Sequence, residues 1–253
     1  MVMKKYQNHS YKVFLGLLLI GIIIGFSIGY FTFYESKKNI PSPPIITSPS
    51  NQIYYQTKVN LVAVDQNGNG VITPLIVEIK PGNGKALTNV DKLLFWVDTQ
   101  QSIQIAKAVA ENVTGINASN YDLTYTIESN ASLIGGPSAG AALTIATVAA
   151  LEKKTLKSDV MITGTINPDG TIGEVGGILE KAKAAKEEGA KLFLVPSGQG
   201  EQTYLQPVEN CVKKLGFIFC ETTYKQITVN IGKDVGISVI EVENINDALK
   251  YFM

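Results

Sequence analysis

The chain contains no arginine; all 22 of its basic residues are lysines. That removes forked guanidinium clamps on phosphate and arginine fingers from consideration. Its one histidine, His9, precedes a long apolar run, so the rest of the chain can build neither a Ser-His-Asp triad nor a histidine metal site. Charge of either sign is not in excess: 22 basic residues balance 22 acidic ones, and no basic face for nucleic acid is expected. A phosphate loop is missing too. Pro81-Gly82-Asn83-Gly84-Lys85 has part of the pattern, but the spacing is wrong and Ala86 stands where Ser or Thr is needed. Neither a nucleotide nor any other cofactor is therefore expected.

What the N-terminus does have is an uncharged stretch. Residues 1–12 are polar, with Lys4, Lys5 and Lys12, and Val13 to Phe33 then carries no charge. As a helix that stretch would be roughly 30 Å long, enough to cross a bilayer core. Its far flank, Tyr30 to Tyr34, is aromatic and bulky rather than small, which suits an uncleaved anchor better than a signal peptide. Lysines are more numerous before it than after it (Lys37, Lys38), which favours an inside N-terminus and an extracytoplasmic domain. Gly21, Gly25 and Gly29 recur at four-residue spacing, either a close-packing stripe or the ordinary glycine content of membrane helices. Residues 34–53, with Pro41, Pro43, Pro44 and Pro49, read as an extended linker, and 54–253 as one domain.

That domain mixes strands and helices. Val59–Val64 and Val71–Ile79 flank Asn67-Gly68-Asn69-Gly70, a hairpin signal. Asp98 or Thr99 can cap a helix reaching about Asn112, and Tyr121–Ile127 is strand-like. Further strands are expected over 160–166, 171–175, 191–195 and 237–242, and helices over 178–188, 202–215 and 246–251. The fold class is α+β.

Chemistry concentrates at Gly136-Pro137-Ser138-Ala139-Gly140. It opens a run from Ala141 to Leu151 that is apolar almost all round and reads as a buried helix. Ser138 thus sits at a tight turn before a helix N-terminus, where free N–H groups and the helix dipole favour a developing oxyanion. A serine needs a base to act as a nucleophile, and without histidine the choice is a lysine, a carboxylate or nothing. On the helix over 178–188, Lys183, Lys186 and Glu187 align with Glu180 as a solvated face, whereas Lys181 shares its face with Ile178, Ala184 and Ala185. Burial there would lower its pKa toward the range of a general base; the alternative is a lysine stem that snorkels to water.

Cys211 and Cys220 can form a disulfide closing a short loop, worth roughly 2–3 kcal/mol, or remain two buried thiols. Asn112, Asn117 and Asn130 each begin an N-glycosylation triplet, a pattern that also arises by chance.

Three blocks resemble the proteolytic domain of Lon protease: Gly136-Pro137-Ser138-Ala139-Gly140-Ala141-Ala142-Leu143, Met161-Ile162-Thr163-Gly164, and Gly176-Gly177-Ile178-Leu179-Glu180-Lys181 followed by Ala184-Ala185. The turn Pro81–Lys85 is similar to that family's Pro-Gly-x-Gly-Lys. Ser138 and Lys181 lie 43 residues apart, the interval of the family's Ser-Lys dyad. The resemblance implies a serine endopeptidase with Ser138 as nucleophile, Lys181 as base and Thr163 supporting the lysine. It also implies peptide or protein substrates and assembly of copies, hexameric in the family. Stand-alone, membrane-anchored archaeal members are the more similar kind, since the ATPase ring that feeds Lon has no counterpart here; cleavage without ATP is the expectation that follows. Two departures stand out: Gly135 where an acidic residue usually precedes Gly-Pro-Ser, and Thr165 where a glutamate commonly follows Thr-Gly. The rival expectations are an inactive Lon-like binding or assembly module, and hydrolysis of another acyl bond.

Overall fold

The computed structural model describes residues 15–30, 55–90, 94–95, 97–128, 133–134 and 136–253. The chain divides into two compact units, Met1–Asn51 and Gln52–Met253. In the first, residues 15–30 form a helix (α1). Among the described residues no helix is long and apolar enough to cross a membrane, so they do not support the expected span over 13–33, of which 13–14 and 31–33 lie outside them. The tail 1–12, the linker 34–53, Gly135 and the Asn130 triplet lie outside the described residues.

The second unit opens with the expected hairpin. Strands β1 (Tyr55–Val64) and β2 (Gly70–Pro81) pair antiparallel, and Asp65 closes the turn by accepting from the N–H groups of Asn67 and Asn69. β3 (Ala86–Thr88) and β5 (Tyr121–Ile127) complete a four-stranded sheet in the order β1-β2-β5-β3. Alternation in β2 and β5 turns Leu75, Val77, Ile79, Leu123, Tyr125 and Ile127 into one core. Helices α2 (Val97–Thr114) and α3 (Gly140–Glu152) fill it. Short parallel pairing joins β4 (Leu94–Phe95) to β6 (Leu133–Ile134).

Helix α3 is buried from Gly140 to Leu151, as its all-round apolar run implies. Its two threonines need partners in such a setting. Thr144 and Thr147 return their hydroxyls to the carbonyls of Gly140 and Leu143, and the Thr147 and Tyr125 hydroxyls meet at 3.0 Å.

A second sheet is parallel, β13-β10-β7, built from β7 (Val160–Ile162), β10 (Leu192–Pro196) and β13 (Ser238–Val242). Both faces are covered. Val160, Ile162 and Leu194 face the first core, with α6 (Ile245–Phe252) contributing Ile245, Ala248 and Phe252. Met161, Phe193 and Val195 face a second core with Ile178, Ala182 and Ala185 of α4 (Ile178–Glu187) and Ile231 and Val235 of α5 (Ile231–Val235). The expected strand over 160–166 is broken: Thr163 and Gly164 separate β7 from β8 (Thr165–Ile166), which pairs with β9 (Ile172–Gly173).

Residues 202–215 are not a helix. Residues 202–214 belong to β11 (Glu201–Lys214), which pairs along its whole length with β12 (Phe217–Asn230). Pro207 is incompatible with a helix interior but tolerable in a two-stranded ribbon, where each strand is an edge. The two-residue turn has Leu215 at φ 52° and Gly216 at φ 85°, the paired left-handed conformations that match strand twist. Cys211 stands directly opposite Cys220 and the two are disulfide-bonded. Both are exposed, so the buried-thiol alternative does not apply. A lone two-stranded hairpin is marginal in water, and a crosslink near its tip is worth roughly 2–3 kcal/mol to the hairpin. Reduction, or Cys211→Ser with Cys220→Ser, is expected to raise amide exchange along the outer hairpin while leaving the melting temperature of the core unchanged. Hydrogen exchange read by mass spectrometry against a thermal melt checks this.

Candidate active site

Strand alternation and one helix phase bring the site together. Met161 points to the α4 side of its sheet, so Thr163, two residues on, has the same parity. In α4, Lys181 lies on the buried face with Ile178, Ala182 and Ala185, and is only 3% exposed. Lysine Nζ and Thr163 Oγ1 meet at 3.2 Å, the lysine donating. Thr163, itself 1% exposed, has its hydroxyl 3.4 Å from the carbonyl oxygen of Ser138, a contact in which the threonine donates.

Helix α4 is held in place by the tip of the first hairpin. A Cβ on Gly70 would fall 2.1 Å from the carbonyl oxygen of Glu180, and one on Gly177 would meet Val64 at 2.6 Å. Only a bare backbone at Gly70 permits that approach, so the turn beyond Val64 bears directly on the segment that carries Lys181.

Ser138 lies in a 3-10 turn, Pro137–Ala139, that runs into α3, and it is half-buried rather than sealed. The turn is tied on three sides. Gly164 N–H donates to Ser138 O at 3.0 Å, Ala141 N–H donates to Gly164 O at 3.0 Å, and Gly140 N–H donates to Pro137 O. Gly140 also admits Ile166: a Cβ there would sit 2.6 Å from Ile166 Cγ2 and 2.8 Å from its backbone nitrogen. Gly136, at φ 100°, takes a conformation that side chains rarely adopt, and its N–H reaches Asp98 Oδ2 at 2.9 Å. The other carboxylate oxygen of Asp98 accepts from Thr99 N–H at 2.7 Å.

Asp98 is the residue that sequence reasoning undervalued. It reads as a helix cap, which is a local role, whereas its bond to Gly136 spans 38 residues. No periodicity or spacing announces such a contact. Asp98→Ala leaves Gly136 N–H without its acceptor, beside the serine. We expect kcat/KM for a peptide to fall about 10- to 100-fold, the scale of a small misplacement of reacting groups, with partial recovery in Asp98→Asn. Steady-state kinetics of the three proteins checks it.

Electrostatically the lysine is alone. Among the described residues no carboxylate forms an ion pair with it, and burial lowers its pKa from 10.5 to about 8. No hydrogen bond joins Ser138 Oγ to Lys181 Nζ among the described residues; Thr163 is the link. Thr165, one of the two departures from the family pattern, stands opposite Gly173, where a Cβ would lie 2.4 Å from the threonine hydroxyl.

The Pro81–Lys85 turn is closed to phosphate. Asp122 Oδ1 accepts from the N–H groups of Asn83 and Lys85 at 2.9 and 3.0 Å, and these bonds hold its carboxyl below the usual range. A carboxylate already occupies the amides that a phosphate would need.

The α+β domain thus sets a half-buried serine, on a turn tied to its neighbours, within one threonine of a buried lysine. Residues 81–232 match the family described as the Lon protease (S16) C-terminal proteolytic domain. The chain is 24% identical over 197 residues to Archaeal Lon protease of Methanothermobacter thermautotrophicus, covering 77% of this chain and 27% of that protein. It is 32% identical over 167 residues to Lon protease 2 of Bacillus subtilis, covering 60% of this chain and 29% of that protein. Against the peroxisomal Lon protease homolog 2 of Caenorhabditis briggsae the identity is 28% over 179 residues, 68% of this chain and 22% of that protein. It spans about a quarter of the length of these relatives. The chain belongs to the Lon proteolytic-domain family and is a serine peptidase.

Proposed function

We propose that the chain is an endopeptidase in which Ser138 and Lys181 act as a catalytic dyad, with Thr163 positioning the lysine. The observation that carries this reading is the lysine: 3% exposed, without a counter-ion among the described residues, and bonded to the threonine that also contacts the serine's carbonyl. A buried amine with a pKa of about 8 is partly neutral at working pH and can accept a proton.

Ser138 Oγ attacks the scissile carbonyl carbon as its proton passes to Lys181 Nζ. The carbonyl oxygen takes the negative charge beside the N-terminal end of α3. Collapse of this intermediate breaks the C–N bond, Lys181 returns the proton to the leaving amine, and an ester to Ser138 remains. Water then attacks the ester with Lys181 again as base, releasing the new carboxyl terminus and restoring the serine.

Flexible peptides and disordered segments are the proposed substrates, cut without nucleotide; the Asp122-filled turn supports the absence of a phosphate site there. The charge-free run from Val13 to Phe33 and the lysine bias around it support a chain held in a membrane with its peptidase outside. Alkaline extraction of membranes from expressing cells tests that part: a chain released with the soluble proteins contradicts it. The peptidase is tested by mass spectrometry of products from an unstructured polypeptide, with and without ATP, for wild type and Ser138→Ala. Cleavage by wild type alone, unchanged by ATP, is expected; equal cleavage by both proteins rejects the serine.

A further inference from the structure

The β11–β12 hairpin is far larger than the peptidase site needs. From Leu205 to Gln226 every residue is exposed, so ten cross-strand pairs stand clear of the domain, a reach of roughly 30 Å. Its outer end is apolar where water should favour polar residues. Leu215 is 97% exposed, Phe217 70%, Ile218 69%, Phe219 58% and Val212 53%.

Registration decides what such a tip can meet. Paired residues share a face, so Lys214 with Phe217 and Val212 with Phe219 lie on one side, and Lys213 with Ile218 and the disulfide on the other. Apolar side chains therefore surround the tip on both faces and across the turn, and each face carries one lysine. A folded partner or a second copy would cover one face of a ribbon and leave the other wet. A medium that is apolar in every direction covers all of it. The two lysines sit within the apolar end itself, opposite Phe217 and Ile218, and long amine side chains so placed reach back to a headgroup layer. Their charge is complementary to anionic headgroups.

We propose that the β11–β12 tip is a lipid-docking element, which seats Leu215 and Phe217–Phe219 at the headgroup–acyl boundary of an anionic bilayer. Cross-strand pairing satisfies backbone groups only between the two strands, so insertion stops at the interfacial depth of about 5–10 Å. The crosslink Cys211–Cys220 lies three residues behind the first tip phenylalanine and keeps the two strands registered there. The proposal stands independently of the peptidase reading, and its test does not use activity.

The test uses the full chain with Trp96→Phe, which removes the sole native tryptophan, and Phe217→Trp as reporter; Thr228→Trp serves as a control at the hairpin base. Each is reconstituted with phosphatidylcholine vesicles, with or without phosphatidylglycerol, containing brominated acyl chains. The tip tryptophan is expected to shift to shorter wavelength and be quenched in anionic vesicles, with the base reporter unaffected. In Lys213→Gln with Lys214→Gln the tip's bound-to-free ratio is expected to fall about 30-fold, from roughly 1 kcal/mol per lysine at a charged surface. Tip emission that is the same with and without lipid overturns the proposal. So does a lipid-independent shift that grows with protein concentration, which means that a second copy covers the tip.

Discussion

Ser138→Ala is expected to lower peptidase turnover on the order of 10⁴-fold or more, leaving only what binding and oriented amides supply. The fold should not change. Ser138 is half-exposed, and it is its backbone carbonyl, not its side chain, that Gly164 N–H and Thr163 Oγ1 hold. Alanine keeps that carbonyl, the 3-10 turn and the start of α3. A melting temperature within error of wild type, together with lost turnover, separates chemistry from folding. Gly140→Ala makes the opposite case: the serine is intact, but its turn must move because a Cβ would press on Ile166.

Lys181→Met should abolish turnover by about 10² to 10⁴-fold and at the same time stabilise the protein near neutral pH. Both effects follow from one burial. Between pH 8 and 10.5 the unfolded chain holds a proton on this lysine that the folded chain has lost, so stability rises with pH across that window. Below pH 8 both states carry the proton, and the folded state bears the cost of a buried charge, up to about 3 kcal/mol. Methionine fills a similar volume without that cost. Denaturant melts at pH 7 and pH 10 should show a wild-type gain at the higher pH that the variant lacks. Lys181→Arg distinguishes the base from a mere cation: arginine keeps its proton, so it should be as inactive as methionine and the less stable of the two.

Much of this site could be read before any coordinates. Phasing on α4 separates Lys181 from Lys183 and Lys186 because a helix has a fixed period, and the structure buries the first and exposes the other two. The unbroken apolar run after Ser138 could only be a helix closed in on every side, and α3 is. Contacts between distant segments were a different matter. The break in the strand at Thr163-Gly164 arises because Gly164 N–H bonds to Ser138 O, a tertiary contact that overrides a continuous β-rich run. Asp98 was visible only as a cap, since its bond to Gly136 depends on how α2 lies against the serine turn. The β11–β12 ribbon is not legible in the sequence because its turn is Leu215-Gly216: a leucine in the left-handed region is too rare to serve as a turn signal. With the partner strand unseen, Gln202–Leu215 had no reason to be extended. The same register settles the cysteines, which spacing had left open.

The central claim is that a neutral Lys181 activates Ser138. Its most direct test is the pH dependence of acyl-enzyme formation, followed by rapid quench and intact-protein mass spectrometry with a slowly deacylating peptide ester. The dyad predicts a single adduct on Ser138, whose rate of formation rises through a one-proton midpoint near 8 in wild type and is absent in Lys181→Met. An adduct on another residue, or a Ser138 adduct that forms equally fast without the lysine, would contradict it.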